Sequence, residues 1–297
     1  MASETDVHAP SGATGSGPPP MPTRLGRWRS ELGQEGAKGA LIAFASTVLF
    51  LGLVAVLVLT SDSWPKVQQQ FLDPEAFRES WPEVAGGFWL DVRMFLVAEV
   101  LILVFALGVA VIRSLRGPAF FPLRVLAVVY IDLFRGIPLL LVILLLGFGV
   151  PALDIGGVPR DPIFWGVTAL VLSYSAYTAE VYRAGIESVH ESQRASALSL
   201  GLTQWQALRY AILPQAVRNV VPALLNGLVS LQKDVALVSV LGIREAVREA
   251  EIYTARTFNY TSFIAATVLF LLASIPVARF TDWYSRRDRA RRSQAML

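Results

Sequence analysis

One carboxylic acid, Glu99, lies in the middle of an otherwise uncharged stretch that runs from Met94 to Ile112. A charge at the centre of a bilayer is costly, so this side chain must face a protein interior, pair with another group or carry a proton. The residue is therefore either part of a functional site or a protonated acid satisfied by a neighbouring helix, and the sequence does not separate the two. Asn226, in a later apolar stretch, is better explained as a hydrogen-bonding contact between helices.

Motifs for enzymatic catalysis are absent from the sequence. It has no Gly-x4-Gly-Lys-Ser/Thr loop for ATP phosphates, no His-Glu-x-x-His zinc motif and no Gly-x-Ser-x-Gly nucleophile elbow. Cysteine is absent too, which excludes thiolate metal ligands and cysteine nucleophiles, and the two histidines are His8 and His190. We therefore expect no catalytic residues, no metal and no cofactor, and a chain that is not an enzyme.

The composition of the 297-residue chain is that of a membrane protein. Hydrophobic residues make up 54% of it and charged residues only 16%, whereas soluble domains carry about a quarter charged residues. A helix needs roughly 20 apolar residues to cross a bilayer. Six stretches are predicted to span the membrane: 39–61, 88–112, 136–153, 162–179, 219–232 and 257–278. The fifth stretch is short, but Pro214 is suited to starting its helix a turn earlier.

The basic residues predict how these spans are oriented. Six spans place both termini on one side, and if that side is the cytoplasm, 18 of the 26 Lys and Arg residues lie on cytoplasmic segments. The positive-inside rule favours this arrangement. Residues 1–38, rich in Pro, Gly and Ser, are predicted to be a disordered cytoplasmic tail, and residues 282–297 a basic cytoplasmic tail. Nucleic acid is not an expected partner, because no aromatic platform or known binding module accompanies the basic cluster.

The segment from Glu187 to Gln215 is long for a connection between two helices, so we expect it to have structure of its own. It is predicted to form two short amphipathic helices. The first ends before Gly201, which readily adopts the left-handed conformation found just past a helix end. Thr203 and Gln206 then fit a capping box that starts the second helix. From the residues alone, this element is either a docking site for a partner or a plain interfacial helix.

The same segment resembles the EAA loop of the transmembrane subunits of ABC importers, the binding-protein-dependent inner-membrane permeases. That loop carries Glu-Ala-Ala, a Gly six residues after the Glu, and Leu-Pro after a second short helix. Ala195 stands where the family has its Glu, so this position has no carboxylate for a contact with an ATPase, although Glu191 lies one turn upstream on the same face. The resemblance implies that ATPase coupling involves Glu191, Gln193, Ala195, Ser196, Ala197, Gly201, Leu213 and Pro214.

Three further stretches are similar to motifs of the same family. They resemble its Arg-Gly-Thr-Pro, Glu-x-x-Arg-x-Gly and Lys-Asp-Thr-Ser-Leu sequences, with Ile137 in place of the Thr and Val235-Ala236 in place of Thr-Ser. The matching residues are Arg135, Gly136 and Pro138, then Glu180, Arg183 and Gly185, and finally Lys233 and Asp234.

Each of these residues also has a purely structural explanation. Arg135 and Lys233 are consistent with side chains that reach the membrane interface from helix ends. Glu180 and Arg183 are three residues apart and suit a local ion pair on one helix. Tyr174 and Tyr177 suit an interfacial aromatic belt as well as a transport pathway. The possible pathway residues are Glu99, Tyr174, Tyr177 and Asn226.

The resemblance implies an all-α membrane protein with six transmembrane helices. Residues 88–281 would form the five-helix core of type I ABC importer permeases, preceded by an extra transmembrane helix at 39–61 and an external loop at 62–87. The chain would then be a permease subunit in a bacterial inner membrane, forming the pathway for a polar amino acid, glutamate or another. Its implied partners are cytoplasmic ATP-binding subunits, an extracytoplasmic solute-binding protein and a second permease subunit, the same or similar.

Two other classes of function remain open at this point. A secondary transporter driven by an ion gradient would need intramembrane ionisable residues and an internal repeat, of which the sequence shows only Glu99. A membrane scaffold or sensor without transport would not need the loop at 187–215 or the core-helix motifs. The sequence does not distinguish glutamate from glutamine, arginine, histidine or cystine as the solute.

Overall fold

The structure is a computed structural model that describes the backbone of residues 36–115 and 117–294, and every described element is helical. Residues 1–35 of the predicted N-terminal tail and the side chains of Arg289, Arg291 and Arg292 in the C-terminal tail lie outside the described part. The first helix, α1 (Gly36–Leu59), belongs to a separate unit that ends at Pro65. Its large side chains are apolar on all faces and exposed, as in a membrane span.

The second unit begins at Lys66, in the first turn of the helix Trp64–Phe71, and contains the helices that follow. The loop predicted at 62–87 is mostly helical, because Asp73 caps a new helix by accepting the backbone N–H groups of Glu75 and Ala76. In chain order the helices are α2 (Trp64–Phe71), α3 (Pro74–Ser114), α4 (Phe121–Gly136), α5 (Leu139–Ala152), α6 (Pro162–Glu187), α7 (Glu191–Ser199), α8 (Leu213–Asp234), α9 (Ala246–Thr257) and α10 (Thr261–Gln294).

The third predicted span differs from the sequence prediction. Residues 118–136, which lie almost entirely between the second and third predicted spans, are helical, and the helix axis bends by 106° between Pro118–Gly136 and Leu139–Ala152. The bend lies at Ile137, whose extended backbone (φ −93°, ψ 132°) is the conformation that a following proline favours. The α4–α5 pair is therefore a broken span or a re-entrant segment.

The predicted number of six spans is not confirmed. In the described residues, four helices are long and apolar enough to cross a membrane, or five if the bent pair counts as one span. The fourth predicted span falls on α6, which is not among them. The buried face of α6 consists mainly of small residues, including Gly166, Ala169, Ser173, Ser175 and Ala176.

The core of the second unit lies where α3 and α6 pack together. Met94, Ala98 and Ile102 of α3 meet Ala169 and Leu170 of α6 there. The apolar run at 235–243 begins with a 3-10 helix, Val235–Leu241, whose residues Val235 and Val238 are buried in the same cluster. This packing positions the end of α8 beside the middle of α3.

Candidate functional site

A cavity of about 620 Å³ lies between α3, α6, α8 and the break that separates α4 from α5. Residues from several predicted groups, far apart in the sequence, meet there. The cavity is lined by three of the possible pathway residues and four of the core-motif residues: Glu99, Tyr174, Tyr177, Arg135, Gly136, Pro138 and Asp234.

The Arg-Gly-x-Pro motif forms the cavity wall at the helix break. The Ile137 N–H donates to Leu133 O at 3.1 Å as the last bond of α4, and the Pro138 carbonyl accepts the first bond of α5 from the Leu141 N–H at 2.9 Å. The guanidinium of Arg135 lies 5.6 Å from the centre of the Tyr177 ring, within range of a cation–π interaction. The Tyr177 hydroxyl also donates to Arg135 O at 3.2 Å.

Two carboxylates face the same cavity. Asp234, at the end of α8, accepts a hydrogen bond of 2.6 Å from the Tyr174 hydroxyl. Glu99 reaches the cavity from α3, is half-buried, and forms no ion pair with any described residue. Carboxylates and a guanidinium in one water-accessible cavity can bind the ammonium and carboxylate groups of a small zwitterion, but they provide no nucleophile or metal site.

Some predicted residues lie elsewhere, and some lining residues were not predicted. Asn226 and Lys233 are exposed on α8 and do not line the cavity. Small polar residues that the sequence analysis did not single out complete its wall, namely Ser173, Thr178 and Ser230. Of these three residues, Ser173 could have been indicated by the serines in the sequence of α6.

Glu180 joins two helices rather than forming only a local pair. Arg183 donates to Glu180 Oε2 at 2.8 and 3.1 Å, as the three-residue spacing predicted. Arg113, at the end of α3, also forms an ion pair with Glu180, and Arg183 forms one with Glu187. The sequence analysis missed Arg113, because nothing local links residues so far apart. This cluster connects the end of α3 to the start of the predicted loop at 187–215.

Gly185 is required by the close approach of two helices. A Cβ atom there would overlap the Val220 side chain and come within 3.2 Å of Ala216 O on α8. Beyond it, Asn219 donates to Ser188 Oγ at 2.6 Å. The Gly of the Glu-x-x-Arg-x-Gly motif therefore sets the contact between α6 and α8.

The loop at 187–215 has the predicted helix–turn–helix form. The helix α7 ends before Gly201, whose φ is +82°, and a Cβ at Gly201 would have open space, so its conformation and not crowding requires glycine. Thr203 and Gln206 form the predicted capping box, and the second helix continues through a π-helical turn, Ala207–Ile212, into α8. Pro214 lies in the first turn of α8.

The outer surface of this loop is apolar where the two short helices meet. Leu200 and Trp205 are 81% and 66% exposed. The two arms are tied by a 2.8 Å hydrogen bond from Arg194 to Gln204. Ala197 is buried, whereas the other seven predicted coupling residues are exposed, namely Glu191, Gln193, Ala195, Ser196, Gly201, Leu213 and Pro214. An unpredicted feature is His190, which caps α7 by accepting from the Ser192 N–H.

Comparison with known proteins identifies the family of this chain. The model of one protein family, described as the binding-protein-dependent transport system inner membrane component, matches residues 118–289. The chain belongs to this family. It is thus a multi-pass membrane permease subunit of the ABC importer type, and the resemblance expected from the sequence is confirmed. The matched region includes the α4–α5 break, the cavity residues of α6 and α8, and the loop at 187–215.

Several amino-acid permeases are similar to this permease. The arginine transport system permease protein ArtQ of Bacillus subtilis (strain 168) is 32% identical over 69% of this chain and 92% of its own length. The L-cystine transport system permease protein TcyB of the same strain is 31% identical over 76% and 94%. The putative glutamine transport system permease protein GlnP of Rickettsia felis (strain ATCC VR-1525 / URRWXCal2) is 33% identical over 65% and 87%.

Solved structures show the same fold. A chain of an amino acid ABC transporter crystallised with histidines superposes with a TM-score of 0.63 at 31% identity, over 69% of this chain and 94% of that one. A chain of the MetNI methionine ABC transporter, in an inward-facing conformation, gives a TM-score of 0.54 at 18% identity, over 70% and 95%. The second likeness concerns the fold alone.

Proposed function

We propose that this permease forms the membrane pathway for a polar amino acid, and that the cavity between α3, α6, α8 and the α4–α5 break is its binding site. The observation that carries the proposal is the meeting of Glu99, Asp234 and Arg135 in one cavity. The similar permeases named for arginine, cystine and glutamine support the solute class, since those three solutes share an α-amino acid backbone.

The charges of the cavity match that shared backbone. The α-ammonium group would be held by Glu99 and Asp234, while the guanidinium of Arg135 would hold the α-carboxylate. Tyr174 orients the Asp234 carboxylate through its hydroxyl, and Tyr177 supports Arg135. The solute side chain is then left to the apolar and small polar lining, which makes a polar amino acid the expected class without selecting one member.

Coupling to ATP hydrolysis would use the loop at 187–215. Ala195 has only a methyl group at the position where the family has its Glu. Leu200 and Trp205, in contrast, form a largely exposed apolar surface at the turn. Buried aromatic anchors dominate the binding energy of many interfaces. We therefore assign the main ATPase contact to Leu200 and Trp205, with Glu191 as the acid one turn before Ala195. Gly201 would fix the angle between the two arms, so that a rigid push on them reaches α8.

The remaining partners follow from the family and the predicted topology. With both termini in the cytoplasm, the segments at 62–93, 151–161 and 232–259 would face the solute-binding protein. A second permease subunit, the same or similar, would complete the pathway. The alternative of an ion-gradient-driven transporter is not favoured, because the chain belongs to a binding-protein-dependent importer family.

A co-purification experiment tests the coupling part of the proposal. We expect the tagged permease to bring down an ATP-binding subunit from solubilised membranes, and Leu200→Ser with Trp205→Ser to lose most of that subunit. Leu153→Ser is the matched control, since Leu153 is 66% exposed but lies outside the loop, and it should retain the subunit. Equal recovery with the loop variant and the control would reject the assigned contact.

A further inference from the structure

Two acids that the transport scheme does not use lie together beside the core. Asp91 on α3 and Glu245 just before α9 are 3% and 0% exposed. Gly87, one turn before Asp91, allows this contact, because a Cβ atom there would lie 2.5 Å from the carbonyl carbon of Glu245. The chain before α9 is therefore packed directly on the backbone of α3, and the two carboxyl groups are closed off from solvent.

The backbone N–H groups at the start of α9 are shared between these acids. Glu245 accepts from the N–H groups of Val247 at 2.9 Å and Arg248 at 2.7 Å, with one oxygen on each. Asp91 Oδ2 accepts from the Ala246 N–H at 3.2 Å. Asp91 Oδ1 is also buried but has no hydrogen-bond donor among the described residues. An unsatisfied buried oxygen is costly, so this atom requires an explanation.

The charged groups around the pair do not neutralise it. Arg244, in the turn before α9, is bound to Glu249 at 2.7 Å, and Arg248 of α9 is bound to Glu251 at 2.9 Å. Glu83 on α3 lies near Arg244, and Glu251 on α9 adds negative charge near Glu245. The start of α9 stabilises one negative charge through its free N–H groups, but not two. Burial accordingly raises the pKa of Glu245 above its ordinary value.

We propose that Asp91 and Glu245 bind one proton between them and that this protonated pair holds the segment 235–245 against α3. A shared proton supplies the missing donor between the two carboxyl groups and avoids placing two negative charges side by side in a buried site. The pair is a proton-binding site separate from the cavity, and it does not take part in the recognition of the solute.

The segment 235–245 connects the Asp91–Glu245 pair to the transport cavity. It starts directly after Asp234, which lines the cavity, and its 3-10 helix packs Val235 and Val238 into the core. The helix α3 carries both Asp91 and Glu99. Loss of the proton would push the segment from α3 and disturb the spacing between the two cavity carboxylates. This consequence rests on the proposed function, whereas the proton site itself does not.

The variant that tests the shared proton is Asp91→Asn. The amide oxygen can still accept from the Ala246 N–H, and the amide NH₂ can donate to Glu245 without any added proton. In the wild type, the folded state binds a proton that the unfolded chain releases near the ordinary carboxyl pKa. Stability should then fall as pH rises through the window between the ordinary and the raised pKa, by about tenfold in the folding constant per pH unit.

Thermal unfolding of the intact permease in nanodiscs, measured across pH, tests the site. We expect the apparent melting temperature to fall with rising pH in the wild type and to stay level across that window in Asp91→Asn. Glu99→Gln, which changes a cavity acid, should keep the wild-type slope even if it loses transport. An identical pH profile for wild type and Asp91→Asn would overturn the proposal. Because unfolding requires no transport, a failure of the proposed function would not affect this result.

Infrared spectroscopy provides a second measurement, in which Asp91 and Glu245 are both left unchanged. We expect the carbonyl band of a protonated carboxyl at neutral pH, which disappears as the pH is raised and which persists in Glu99→Gln. The absence of any such band in Glu99→Gln at neutral pH would reject the shared proton, even if Asp91→Asn did not fold.

Discussion

The two acids of the cavity, Asp234 and Glu99, differ in their partners within the protein. Asp234 is oriented by the Tyr174 hydroxyl at 2.6 Å, so part of its charge is already engaged within the protein. Glu99 has no ion-pair partner among the described residues and projects from the middle of α3. A bound ammonium group would supply the partner that this carboxylate lacks, which makes Glu99 the most informative single residue.

Replacement of Glu99 by glutamine should weaken solute binding. A hydrogen bond to a charged group contributes about 1.5–3 kcal/mol, so we expect the KM for uptake to rise roughly ten- to hundredfold. Uptake of labelled arginine, glutamine and cystine in cells or proteoliposomes measures this. Asn226→Ala is the control, because Asn226 is a polar residue of an apolar helix that does not line the cavity. Equal KM values for the two variants would contradict the assigned role of Glu99.

The charged residues of the cavity were singled out from the sequence, but the cavity itself was not predicted. Glu99 is conspicuous as a charge in an apolar stretch, and Arg135 and Asp234 belong to recognisable motifs. They come from three different parts of the chain, and only the packing of α3, α6 and α8 shows that they face one space. The pairs Arg113–Glu180 and Asp91–Glu245 were missed for the same reason, since each joins residues of separate helices.

At the scale of helices, the sequence predicted helix ends and caps well, because these depend on residues that are close together in the chain. The end of α7 at Gly201 and the capping box of Thr203 and Gln206 follow from residues only a few positions apart. The break at Pro138 was not predicted; only a span beginning at residue 136 was. The preceding α4 was missed because Arg124, Asp132 and Arg135 make it amphipathic instead of uniformly apolar. Its apolar residues pack on α3 and α6, which a hydropathy count does not detect.

The turn at Gly201 should tolerate asparagine but not valine. The position has a φ of +82°, which Asn adopts more readily than a β-branched residue, and open space surrounds it. We expect Gly201→Val to lose ATP-driven uptake while remaining in the membrane, and Gly201→Asn to retain most of it. Transport and ATPase rates measured on the same preparation distinguish uncoupling from misfolding. Normal uptake by Gly201→Val would show that this turn does not transmit force.

The contact between α6 and α8 should be sensitive to added volume at Gly185. Because a Cβ there would overlap Val220, we expect Gly185→Ala to destabilise the protein by about 1–3 kcal/mol, which thermal unfolding would detect. The additional change Val220→Ala should restore part of the loss. Gly108→Ala is the control, since Gly108 is a helical glycine with no neighbouring atom within 4 Å of its Cβ position. Similar melting temperatures for Gly185→Ala and Gly108→Ala would contradict this packing.

At the scale of the whole molecule, the central claim is that ATP, and not an ion gradient, drives transport through this chain. The sequence predicted an all-helical membrane protein of the importer family, and the family is confirmed. Composition alone did not give the number of spans, because the buried face of α6 consists mainly of small and polar residues that suit helix packing. Energy coupling therefore has to be measured on the assembled transporter.

The decisive measurement is uptake of a labelled polar amino acid into proteoliposomes that contain the permease with its ATP-binding subunits and its solute-binding protein. We predict uptake with ATP enclosed on the side of the ATP-binding subunits, none with a non-hydrolysable analogue, and no loss when ionophores collapse all ion gradients. Uptake that continues without ATP and stops when the ion gradients collapse would contradict the account, and would instead make the chain a secondary transporter.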